Sequence, residues 1–139
     1  MGTRECLNNY LRETRNKPFS WGEHDCLTFT NNAYKAMYGV GWADDWVGRY
    51  MIDGKPMRKQ QLIEEFKHSN FDSAVDKKLK RIDYIPPLGA LVTTKKAQRW
   101  VTGVAMGIST GNKAVFLSKE GLIFLPFADI EQAWIKDGE

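Results

Sequence analysis

Trp21-Gly22-Glu23-His24-Asp25-Cys26 is the stretch at which the chain changes character. Ahead of it stands Asn16-Lys17-Pro18, where the proline disfavours helix in the residue before it. Behind it, Cys26, Phe29, Ala33, Ala36 and Met37 recur at intervals of three and four, which predicts a helix with one apolar face. Asp25 is its expected N-cap, and Gly39 stands in the favoured place just past its C-terminus. A cysteine in the first turn of a helix feels the positive end of the helix dipole, which favours thiolate over thiol. Two readings of Cys26 follow, an activated nucleophile or a small apolar residue anchoring the helix to a core, and its position leaves both open.

Outward from this stretch the pattern is helical on both sides at first. Cys6, Leu7, Tyr10 and Leu11 make an apolar stripe between charged residues, so a first helix is expected over Thr3 to Arg15. Val40 to Pro56 is rich in Gly, Asp and aromatics and reads as an ordered loop with short helical turns. Asp44 and Asp45 are adjacent and do not form a catalytic carboxylate pair, whereas Arg49 is expected to pair with an aspartate or to hold a substrate carboxylate. Helices are expected again over Met57 to His68 and Asp72 to Arg81.

From Ile82 the period changes. Ala90 to Thr93, Trp100 to Ser109, Ala114 to Leu117 and Leu122 to Phe127 read as strands, with hairpin connections at Thr110-Gly111-Asn112 and Lys119-Glu120-Gly121. Ala128 to Ile135 is expected to return to the body with Trp134 packed against it. The fold class is α+β, helices first and a small antiparallel sheet second.

The 139 residues, 42% of them hydrophobic, suit one domain with a real core, and a net charge of +3 spread along the chain does not argue for nucleic acid as a partner. The run Lys77-Lys78-Leu79-Lys80-Arg81 reads as a solvated helix face. No window approaches the roughly 18 to 20 apolar residues of a spanning helix, so no membrane insertion is expected. Cys6 and Cys26 are expected to stay reduced, and neither Cys-x-x-Cys nor a spaced His pair suggests a metal; no cofactor is implied.

The segment Trp21-Gly22-Glu23-His24-Asp25-Cys26 followed by Tyr38-Gly39 resembles small NlpC-like proteins encoded by tailed phages. These are similar in turn to the NlpC-type cysteine peptidases, whose fold is a circularly permuted papain-like one. A thinner likeness runs through Gly48-Arg49-Tyr50, Gly89-Ala90-Leu91-Val92, Ala105-Met106-Gly107-Ile108, Gly121-Leu122 and Ala133-Trp134. The resemblance implies one NlpC-like domain over residues 1–139, with the Cys26 helix packed on the C-terminal sheet.

It also implies where a base would stand, at the histidine of a His-Val-Gly-Ile strand. The matching stretch here is Ala105-Met106-Gly107-Ile108, so the base position reads Ala105, and a second polar landmark, Gly-Asp, reads Gly89-Ala90. The resemblance therefore implies a catalytically silent component of a phage virion near the tail tip, assembled in the host cytoplasm, with other tail proteins as partners and the host cell wall as a further one. Interfaces favour Trp, Tyr and Arg, and Trp42, Trp46, Arg49 and Tyr50 either offer such a contact surface together or pack locally within their loop. The alternative is an active hydrolase of peptidoglycan peptide or another amide, with Cys26 as nucleophile and His24 or another group as base. A third reading keeps only a binding cleft, with Trp21, Asp25, Trp46, Arg49 and Tyr50 as its residues.

Overall fold

The computed structural model describes residues 2–67, 70–97 and 104–136. Helix α1 (Thr3–Thr14) and helix α2 (Cys26–Tyr38) pack side by side, Tyr10 stacking on Phe29 with ring centroids 5.7 Å apart and donating its hydroxyl to the Phe29 carbonyl at 2.9 Å. The expected ends of α2 are the observed ones. Asp25 caps it in a reciprocal box with Thr28, and Gly39 closes it at φ 83°, a left-handed conformation in which a Cβ would be strained.

Two short strands, β1 (Met51–Ile52) and β2 (Lys55–Pro56), then pair across Asp53-Gly54, whose φ values of 52° and 77° are those of a tight hairpin turn. Helices α3 (Lys59–Phe66) and α4 (Phe71–Asp76) follow. The second is shorter than its apolar spacing suggests. It stops at Asp76 because the chain turns into strand β3 (Lys80–Ile82), so the basic run is a turn and an edge strand rather than a helix face. Its charges are met locally, Arg81 by Asp76 at 2.7 Å and Lys78 by Asp45 at 2.5 Å.

Strands β4 (Leu91–Thr94), β5 (Ala105–Ser109), β6 (Ala114–Ser118), β7 (Gly121–Leu125) and β8 (Ile130–Ile135) complete an antiparallel sheet of order β3-β8-β4-β5-β6-β7. The last strand is the surprise. Instead of merely leaning on the body, it inserts between β3 and β4, with Trp134 opposite Leu91 and fully buried. The part of the expected Trp100–Ser109 strand before Ala105 lies mostly outside the described residues, as does His68.

Alternation along the strands sorts the side chains onto two faces. Leu91, Met106, Ile108, Val115, Leu117 and Trp134 join the helices in one core, while Val92, Ala105, Ala114, Phe116 and Ala133 form a second cluster on the opposite face. Gly107 belongs to that second face. A Cβ there would run into the Val115 carbonyl and the Phe116 ring, so the strand can approach β6 this closely only with glycine. Among the described residues no helix is long and apolar enough to cross a membrane.

Candidate functional site around Cys26

Pro18 to Asp25 delivers the chain to α2 through a tight loop. The Ser20 N–H donates to the His24 carbonyl at 3.0 Å and the His24 N–H donates back at 2.7 Å. Inside this bridge Gly22, at φ 82°, turns its N–H onto Asp25 Oδ2 at 2.8 Å. Asp25 is fully buried. Its Oδ1 accepts from the Thr28 N–H at 2.9 Å, and Oδ2 also accepts a short bond from the Tyr50 hydroxyl. A buried carboxylate must be bonded in this way, since ionised groups are costly to take out of water. Burial and the neighbouring Asp25 charge push the Tyr50 hydroxyl well above its usual range, so it stays a donor.

Cys26 follows directly and is only 3% exposed. Burial pushes its thiol up to about 12, against a small lowering from the Met106 backbone. Of the two readings that its position leaves open, burial favours the apolar anchor over the activated nucleophile. The dipole at a helix end is worth about 0.3–1 kcal/mol, less than one pKa unit, whereas full burial moves a group by up to about 3–5 units. The thiol is neutral at physiological pH.

No described imidazole is bonded to that thiol. The residue at the resemblance's base position, Ala105, belongs to the cluster on the far face of the sheet, and Met106 is the β5 residue on the α2 side. A histidine in place of Ala105 would therefore not face Cys26. His24 is itself buried, its ring edge-on to Phe29 at 6.0 Å, and among the described residues its Nε2 has no hydrogen-bond partner. Burial first and Lys17 second lower its pKa, with Asp25 opposing, and no hydrogen bond joins it to Cys26 among the described residues. The structure thus does not assemble the Cys26–His24 pair.

The aromatic loop is also turned inward. Trp42, Trp46 and Tyr50 are buried, so for these three it is the packing reading, not the contact surface, that is observed. Trp46 stands edge-to-face between Trp42 and Phe66, each 5.5 Å away, and Lys78 lies over its ring. Large apolar rings in a loop gain more from covering α3 and α2 than from facing water. Arg49 stays exposed, stacked on Phe66 at 4.8 Å and bonded to Glu65 at 2.7 Å, a glutamate rather than the expected aspartate. Trp21 is half-buried, edge-on to Phe19 at 4.9 Å.

The outward side of α2 carries a different feature, a polar groove of about 430 Å³. Thr28, Asn31, Asn32 and Lys35 of α2 line it together with Gly22, Glu23, Asp44 and Val47. Asn31 ties the wall to the helix, donating to Asp44 at 2.8 Å and accepting from the Ala43 N–H at 2.7 Å. Cys26 does not line this groove. The stripe Thr28, Asn31, Asn32, Lys35 at helical spacing was the sequence signal for it, visible only once the apolar face of the same helix is assigned.

The model of a family described as a domain of unknown function, DUF6950, matches residues 2–135. No curated protein matches the chain.

Proposed function

The chain belongs to the DUF6950 family, and we propose that it is a catalytically silent, permuted papain-like domain serving as a structural or assembly component of a tailed-phage virion, near the tail tip. One observation carries the silent part of this reading: Cys26 is sealed in the core as a neutral thiol, with Met106 on the facing strand where a base would have to stand. Nucleophilic catalysis by cysteine needs a thiolate, or a base within hydrogen-bond reach. The helix-on-antiparallel-sheet arrangement supports the papain-like part, and the phage setting comes from the sequence resemblance.

In this reading Asp25 works as architecture. It joins the loop, the helix and Tyr50 into one rigid corner on which partner-binding surfaces elsewhere are displayed. Other tail proteins are the partners, and the cell wall is met by the assembled particle.

Two measurements test it. Alkylation of Cys26 in a Cys6→Ser chain is expected to stay far slower than that of a free thiol from about pH 6 to 9. A reactive thiolate in that range, together with release of new amine termini from purified peptidoglycan, would revive the hydrolase. Mass spectrometry of purified virions from a phage encoding the chain is expected to find it in the particle; its absence there overturns the assembly role.

A further inference from the structure

Beside the fully bonded Asp25 sits a group with the opposite character. His24 is 2% exposed, yet its Nε2 has no partner among the described residues. Leaving such an atom buried without a bond is costly, and adding a proton would place a full charge in the same site. The charged groups that act on the ring are Lys17, from the segment after α1, which repels a proton, and Asp25, which attracts one. Phe29, the α2 side chain against the ring, is uncharged. Asp25 has its carboxylate committed to Gly22, Thr28 and Tyr50. The closed loop therefore disfavours the charged form of the ring relative to the neutral one.

The same residue closes the loop through its backbone, by the pair of bonds to Ser20, and Cys26 follows two positions later. We propose that the Ser20–Asp25 loop is an acid-released latch, in which protonation of the His24 ring breaks the Ser20–His24 bridge and uncovers Cys26. The device rests on neither the virion reading nor on hydrolysis.

The sign follows from which state binds the proton. The closed ring has its pKa lowered, mainly by burial, whereas the opened ring recovers the ordinary imidazole value of about 6.5. The closed state is thus fully favoured above that value and loses ground as pH falls below it. Since the open form takes the proton at a higher pH than the closed form, the open-to-closed ratio rises as pH falls between the two values, by at most about tenfold per pH unit.

The test reads Cys26 accessibility with dithiodipyridine, an aromatic disulfide that reacts with thiols in acid. In a Cys6→Ser chain, the rate is divided by that of the urea-unfolded chain at the same pH. The ratio is expected to climb several-fold between about pH 6.5 and 5 and to stay flat in His24→Leu and His24→Gln, either of which suffices if the other fails to fold. A flat ratio with His24 present, or the same climb in the variants, overturns the latch. Near-UV circular dichroism recorded alongside must keep its native signal, because loss of that signal in step with thiol exposure means global unfolding and overturns the latch as well.

Discussion

The loop side of Cys26 and its sheet side are built in opposite ways. On the loop side polar groups meet at one carboxylate, Gly22, Thr28 and Tyr50 all converging on Asp25, and the His24 Nε2 alone is left unbonded among the described side chains there. On the sheet side the side chains only pack, Met106 and Ile108 from β5 with Leu91 and Trp134, and the one polar contact to the thiol among the described residues there comes from the Met106 backbone. Neither side leaves a charge or a base for the thiol. An Asp-Cys pair at a helix start is therefore compatible with pure architecture, provided the aspartate is saturated and the strand opposite is apolar.

The loop side breaks most easily. Replacing Asp25 with Ala removes a cap worth about 0.5–2 kcal/mol and takes the carboxylate acceptor from the buried Tyr50 hydroxyl, at about 1–3 kcal/mol more. A total loss of about 3 kcal/mol or above is expected from urea unfolding, part of it recovered by adding Tyr50→Phe. A loss under about 1 kcal/mol would mean that the polar corner contributes little.

The sheet side is sharpened by placing a histidine on each face of β5. Met106→His puts an imidazole on the Cys26 side and is expected to raise alkylation at pH 7 by about tenfold or more, as a fall of one pKa unit would. Ala105→His puts it among Phe116 and Ala133, and Cys26 should stay as slow as before. Equal effects would show that the alternation of faces does not govern the thiol.

The smallest effect lies away from both sides. Arg49 and Glu65 are partly exposed, and such pairs are worth about 0–1 kcal/mol, so Arg49→Ala should lower stability by less than about 1 kcal/mol in the same titration.

Much of this was readable from local pattern. The bounds of α2, from Asp25 to Gly39, follow from capping and from left-handed glycine, which depend on a few neighbouring residues. The tight turn after Ser118 was equally plain. Asp53-Gly54 carried a hairpin signal of the same kind, but strands of two residues each are too short for alternation to announce them. The stretch 128–135 was harder, because Ile130-Glu131-Gln132-Ala133-Trp134-Ile135 has no clean period and becomes a strand by being bonded on both edges. Tertiary context overrode propensity there.

The candidate site was legible in its residues and misleading in its chemistry. Cys26, Asp25 and Tyr50 do come together, but which of the two readings of the thiol holds is decided by a burial that no local pattern reveals. The inward turn of Trp42 and Trp46 has the same cause, since their covering comes from Phe66 and Lys78, far along the chain.

By itself, then, the amino-acid order determined the two N-terminal helices, the cap at Asp25 and an antiparallel set of strands after residue 82, because periodicity, capping and turns are decided within a few residues. Only the tertiary structure decided that β8 enters between β3 and β4, that Met106 rather than Ala105 lies on the side of Cys26, and that the thiol is neutral. Strand order, the face a strand turns to a helix and the loss of water around a group all depend on contacts distant in sequence, and a one-residue change of register reverses the second of them.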